Sequence, residues 1–129
     1  MPAPVGSTKL SSIGQVSIAV KDLARAVAFY RDKLQLTLLF EVPNLAFFDC
    51  GGVRLMLSIP ENETSAGTSV IYYKVGDIET ACAELKSRQV EFESEPHMIA
   101  KMPDHDLWMA FCRDSESNLV GLMCEKPRQ

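Results

Sequence analysis

The stretch Gln15–Tyr30, QVSIAVKDLARAVAFY, predicts a strand, a turn and a helix, and a fainter copy, VIYYKVGDIETACAEL, follows at Val70–Leu85. In each copy, apolar residues first alternate along the chain, as in a strand with one buried face, and then recur at helical spacing. Asp22 and Asp77 stand where each helix should begin, and Asp favours that position because its carboxylate accepts from free backbone N–H groups. The repeat predicts two equivalent modules.

Three short strands should follow each helix. Turn sequences at Pro43-Asn44 and Gly51-Gly52 separate those of the first module, and a polar linker over residues 60–69 leads to the second. The fold prediction is α+β, with two pseudo-symmetric βαβββ modules whose mixed sheets curl into a cup and whose helices lie outside. Residues 1–12 are predicted to be a disordered lead-in. A single domain over 13–126 should contain module one at 13–60 and module two at 69–126.

Composition excludes several partner classes. The chain has 129 residues, 47% of them hydrophobic, and a net charge of −4 without a basic cluster, so nucleic acid and anionic membrane are not expected partners. No apolar run reaches the roughly 18 residues that span a bilayer, and the N-terminus lacks the apolar centre of a signal peptide. The four cysteines show no CxxC spacing. We expect buried, reduced thiols and therefore a cytoplasmic protein.

Two motifs carry a family resemblance. Val20–Leu36 reads V-x-D-L-x-R-A-x-x-F-Y-R-D-x-L-x-L, and Phe111–Asn118 reads F-x-x-D-x-x-x-N. With the paired modules, they resemble the vicinal oxygen chelate superfamily, which includes glyoxalase I, bleomycin-resistance proteins and extradiol dioxygenases. The resemblance covers about residues 13–125. It implies a sheet cup that a homodimer completes, and it leaves the chemistry open because the fold hosts several activities.

The resemblance also implies where a metal would bind. Metal enzymes of this superfamily place a ligand on the first and last strand of each module, and the ion chelates two adjacent substrate oxygens. The corresponding residues here are Gln15, Met56, Val70 and Gly121. Gln15 alone offers an oxygen, and a Met thioether suits Cu(I) rather than Mg, Mn, Fe or Zn. No metal cofactor is therefore predicted, although a divalent ion at the histidines described below remains an alternative.

Strand alternation defines the predicted ligand site. Trp108 is expected on the same face as Gln15 and Arg54, inside the cup, where its ring would form a wall against a planar ligand. Arg54 and Lys74 could hold a carboxylate or phosphate. Alternatively, this face is a solvated strand surface and Trp108 packs at an interface. The predicted ligand-binding set is Gln15, Ser17, Arg54, Met56, Tyr72, Lys74, Trp108 and Gly121.

The candidate catalytic residues are His97, His105 and Cys112. Both histidines fall in an irregular connection over residues 94–106, which is predicted to be a lid or a hydrophobic plug. They could transfer protons or, with a carboxylate, bind a metal, and they could equally fix the loop. Cys112 could be a nucleophile if a cation lowered its pKa. Two functions remain: a metal-independent protein that binds a partly aromatic or anionic molecule, or a glyoxalase-like lyase, isomerase or dioxygenase.

Overall fold

The computed structural model describes residues 13–60 and 70–127. Module one contains β1 (Gln15–Ala19), α1 (Leu23–Ala28), β2 (Thr37–Val42), β3 (Leu45–Cys50) and β4 (Val53–Ser58). A π-helical stretch, Phe29–Lys33, continues α1. Module two contains β5 (Ile71–Lys74), α2 (Ile78–Ser87), β6 (Phe92–Lys101), β7 (His105–Arg113) and β8 (Leu119–Pro127). This order confirms the two βαβββ modules and the α+β fold. The predicted disordered lead-in lies outside the described residues.

The helices begin at the predicted residues. Asp22 accepts a hydrogen bond from the backbone N–H of Arg25, and Asp77 accepts one from Thr80. Gln35, just after the first helix, has a φ of 61°, and Gln89, just after the second, has a φ of 69°. This left-handed conformation ends a helix even without Gly, at a steric cost.

The strands form two separate four-stranded sheets in equivalent orders, β1-β4-β3-β2 and β5-β8-β7-β6. In each sheet the first strand runs parallel to the last strand of its module, and the other pairs are antiparallel. One face of each sheet packs against its own helix. We call the other the open face. Residues of the edge strands β1 and β5 line one small cavity between the two sheets, and Asn118, just before β8, donates to the carbonyl of Ala19 across this boundary.

A network of buried polar groups joins α1 to the turn between β7 and β8. We call it the polar junction. The Glu116 carboxylate accepts from the backbone N–H groups of Lys21 and Asp22, each at 2.8 Å, and from Arg25 Nε at 2.7 Å. Tyr30 Oη donates to Asp114 Oδ2 at 2.7 Å. Hydrogen bonding from Arg25 is the main cause that lowers the pKa of Glu116 to about 2. Charged and neutral donors thus fix module two against α1.

The structure contradicts the predicted lid. Residues 94–106 belong mostly to a long hairpin, since β6 runs to Lys101 and β7 begins at His105. Pro96 is compatible with a strand here because β6 is an edge strand. A residue on an edge strand can lack a backbone N–H without losing a hydrogen bond to a neighbouring strand. The pairing of β6 with β7 shifts register at three places. The segment is therefore an irregular sheet edge rather than a loop over the cup.

Candidate functional site

Gln15 and Arg54 form the polar centre of the first open face. They lie opposite each other on β1 and β4, and Arg54 Nε donates to Gln15 Oε1 at 2.9 Å. The amide nitrogen of Gln15 points at Met56 Sδ, 3.7 Å away. Ser17 lies on the same face, with its hydroxyl 3.4 Å from that of Ser58. The structure thus places four of the predicted ligand-binding residues together.

Tyr72 and Gly121 meet on the second open face. They are register partners on β5 and β8, and a Cβ added to Gly121 would lie 2.6 Å from Tyr72 Cδ2. The Tyr72 ring therefore occupies the space that a side chain at residue 121 would need. Its centroid is 5.8 Å from that of Phe111, in an edge-on contact. Lys74, on the same strand, extends to Glu125 with a separation of 3.6 Å.

The donor set does not fit the divalent ion of the metal-dependent enzymes. The only side-chain oxygen among the four implied positions, that of Gln15, already accepts from Arg54. Val70 has no donor atom, and the Tyr72 ring covers Gly121. Among the residues that the structure describes, no three His, Cys, Asp or Glu side chains cluster as a metal site would require. These residues therefore support no step through a metal ion.

Trp108 lies on the opposite face from the one predicted. It pairs with Cys124 on β8, packs against the hydrophobic core, and has Lys126 Nζ 3.9 Å from its ring centroid. Met109 and Phe111 face the cup instead, in register with Met123 and Gly121. The prediction was wrong because both faces of β7 are apolar. Alternation alone therefore does not show which face of the strand packs against α2.

Cys112 shares the helix-side face with Trp108 and therefore does not face the cup. It is fully buried, and burial raises the pKa of its thiol to about 12. The thiol therefore stays protonated at neutral pH, which opposes a nucleophilic role.

The two histidines lie on the β6–β7 hairpin, in the two strands of the second sheet that are farthest from β5. His97 Nδ1 is 2.9 Å from the carbonyl oxygen of Glu95, and His105 Nδ1 is 2.7 Å from Asp104 Oδ1. Each histidine thus contacts a residue within two positions of it in the same hairpin. The structure does not bring either of them to Gln15.

A cavity of about 650 Å³ lies between the modules, at the end where β4 begins and β5 ends. This volume falls within the roughly 300–1,000 Å³ typical of pockets that bury drug-sized ligands. Three predicted residues, Arg54, Tyr72 and Lys74, contribute to its wall. The remaining wall is mainly apolar and includes Leu36, Val53, Leu55, Ile71, Leu85 and Leu122.

The cavity exists where the repeat lacks a second polar junction. In the alignment of the modules, Leu85 takes the place of Tyr30, and Gly51 takes the place of Glu116. Neither replacement can form the corresponding hydrogen bond, and both line the cavity. These two mismatches between the repeats were the signal that could have placed a cavity here.

Tyr73 is another cavity residue that the sequence did not identify. It lies between this cavity and a smaller one of about 380 Å³ beside the polar junction, and it lines both. Its buried Oη forms no hydrogen bond with any residue in the described part of the chain. Burial raises the pKa of Tyr73, so the phenol remains neutral.

Residues 12–121 match the model of the Glyoxalase/Bleomycin resistance protein/Dioxygenase superfamily. The chain belongs to this superfamily. Comparison with the sequences of curated proteins gives no match. Neither helix in the described ranges is long and apolar enough to cross a bilayer.

Solved structures show the same fold at low sequence identity. Lactoylglutathione lyase from Agrobacterium tumefaciens is 22% identical with a TM-score of 0.74, and the match covers 91% of this chain and 96% of that one. A superfamily member from Nocardioides is 24% identical with a TM-score of 0.71, covering 96% and 92%. An integron cassette protein from the V. Cholerae mobile metagenome is 15% identical with a TM-score of 0.75, covering 92% and 98%. At these identities the likeness concerns the fold.

Proposed function

We propose that this protein binds a small, partly aromatic or anionic molecule without the help of a metal ion, in the cavity at the end of the cup. The cavity of about 650 Å³ between the modules carries this proposal. Its apolar wall provides binding energy through the removal of apolar surface from water, at roughly 25 cal/mol per Å². The polar side chains in its wall include Arg54, Tyr72 and Lys74, which would orient the ligand, and Glu84 and Arg88, which approach each other to 3.8 Å.

The experiment uses 8-anilinonaphthalene-1-sulfonate, an aromatic anion that fluoresces in apolar sites. We expect saturable binding, and we expect Leu36→Trp to lower the affinity at least tenfold because the added ring fills the cavity. Ile99→Trp is the matched control, since Ile99 is 46% exposed on β6. If the probe bound both variants equally well, the cavity would not be the binding site. If binding required added Zn²⁺ or Ni²⁺ and disappeared with a chelator, the proposal of metal independence would be wrong.

The alternative function is that of a glyoxalase-like lyase, isomerase or dioxygenase. The likeness to lactoylglutathione lyase supports it at the level of the fold. Within the described residues, however, Cys112 is buried away from the open face, and both histidines lie on the distant β6–β7 hairpin. In the described part of the chain, none of the three candidates His97, His105 and Cys112 stands beside Arg54. Binding without chemistry therefore accounts better for this arrangement.

We also propose that the protein is a cytoplasmic homodimer. All four cysteines are free thiols, which suits a reducing compartment. Leu39, Phe40 and Val42 on the edge strand β2 are each more than 40% exposed, and a partner chain would cover them. Sedimentation of Phe40→Glu should show a monomer, whereas Ile99→Glu should sediment like the wild type. A monomeric wild-type protein at micromolar concentration would contradict this proposal.

A further inference from the structure

Arg54 differs from the other basic residues in the cavity wall. Lys74 Nζ lies 3.6 Å from a Glu125 carboxylate oxygen. Arg88 donates to the carbonyl of Lys33 at 3.0 Å and approaches Glu84 to 3.8 Å. Arg54, by contrast, forms no ion pair with any carboxylate of the described residues. It is therefore the basic side chain of this wall that forms no ion pair with a described carboxylate.

Two uncharged groups hold the Arg54 guanidinium in place. Gln15 Oε1 accepts from Nε at 2.9 Å, and the Phe47 ring centroid lies 5.5 Å from the guanidinium carbon. Asp49, the cross-strand neighbour of Arg54, accepts instead from the backbone N–H of Gly52 at 3.3 Å. The arginine is thus oriented without being neutralised, which lowers the entropic cost of binding an anion.

The free donors of Arg54 define what it can recognise. Nε is engaged with Gln15, and neither Nη group has a hydrogen-bond partner among the residues that the structure describes. The two Nη groups present parallel N–H donors that match the two oxygens of a carboxylate. We propose that the ligand is an amphipathic monocarboxylate whose carboxylate pairs with both Nη groups of Arg54 and whose apolar body enters the cavity. This inference rests on the proposed function.

Gln15 has a defined part in this arrangement. It occupies a position where metal-dependent members of the superfamily would hold an ion, and here its side chain orients Arg54. Its amide nitrogen points at Met56 Sδ, which is a weak acceptor. With the nitrogen on that side, the amide oxygen faces Arg54. Gln15 is therefore a positioning residue. Its loss should weaken binding of the carboxylate without affecting the apolar part of the ligand.

The test compares n-decanoate with 1-decanol, which share an apolar chain and differ in the charged head group. Isothermal titration should show that the wild type binds decanoate at least tenfold more tightly. Arg54→Met should abolish this preference and leave decanol affinity within about twofold, and Arg54→Lys should restore part of it. Gln15→Leu should weaken decanoate binding three- to tenfold. Circular dichroism melting confirms that each variant is folded, as expected for exposed positions.

The outcomes separate the two proposals. If the wild type bound decanol as tightly as decanoate or more tightly, the assignment of Arg54 would be wrong. It would also be wrong if Arg54→Met kept the preference for decanoate. The cavity proposal would survive in that case, provided that Leu36→Trp weakened the binding of both compounds. If Leu36→Trp left both affinities unchanged, the cavity proposal itself would fail. Loss of the decanoate preference at 1 M salt would agree with a charged contact at the cavity edge.

Discussion

Glu116 connects the two modules through a buried carboxylate, and Glu116→Gln tests how much that charge stabilises the fold. The side chain is 1% exposed and accepts from Arg25 and from the backbone N–H groups of Lys21 and Asp22. An amide of the same shape keeps one acceptor oxygen and loses the charge. We therefore expect the substitution to weaken the polar junction without creating a cavity.

The pKa of Glu116 gives the magnitude. It falls from an ordinary 4.5 to about 2, and at roughly 1.4 kcal/mol per pH unit the ionised carboxylate would contribute about 3 kcal/mol. Since Arg25 is 54% exposed, solvent screens the ion pair, and we expect a loss of about 2 kcal/mol. Because the folded pKa is lowered, this contribution is complete above the unfolded pKa and disappears as the pH falls towards 2.

Urea unfolding at pH 7 and pH 3 measures the effect. The difference between wild type and Glu116→Gln should be about 2 kcal/mol at pH 7 and less than half of that at pH 3. Glu95→Gln is the control, because Glu95 also pairs with a cation, Lys86, but is 76% exposed. It should cost under about 0.5 kcal/mol. Equal differences at both pH values, or a difference below 0.5 kcal/mol at pH 7, would refute the reasoning.

Three further predictions concern the cup and the core. Gly121→Ala should cost about 1 kcal/mol in urea unfolding because the new methyl group displaces the Tyr72 ring; a Tyr72→Ala background should abolish that loss, and an undiminished loss there would contradict the contact. Tyr73→Phe should raise the free energy of unfolding by about 1 kcal/mol because it removes a buried hydroxyl without a partner among the described residues; a loss of stability would show that the hydroxyl is satisfied. In the native protein, Cys112 should react with Ellman's reagent far more slowly than the partly exposed Cys50, since burial raises its pKa to about 12; equal rates would contradict its burial.

The repeat and its local signals were enough to predict the fold. Asp22 and Asp77 cap their helices as expected, and the open face of module one carries the predicted residues. These features depend on neighbours in sequence or on strand alternation. The face of Trp108 could not be predicted, because both sides of β7 are apolar and packing against α2 selects between them. Nor could the hairpin at residues 94–106, because its polar and proline-rich sequence is typical of a loop.

The cavity required knowledge of both modules at once. Leu85 and Gly51 are unremarkable in their own segments, and they matter only because the repeat places them where Tyr30 and Glu116 form hydrogen bonds in the other junction. A single sequence reveals this through the comparison of its two halves, residue by residue. It does not reveal the distance between β1 and β5, which depends on the packing of the whole domain.

The contact between Tyr72 and Gly121 limits how this chain could evolve. An acidic side chain at residue 121 would meet the Tyr72 ring at 2.6 Å, so that substitution alone would be harmful before it offered any ligand. The ring would have to move aside or be replaced, and Gln15 would have to release Arg54. Several changes, in a particular order, thus separate this cup from one that chelates an ion. This cup and an ion-chelating cup share the same fold, and yet no single substitution would convert one into the other.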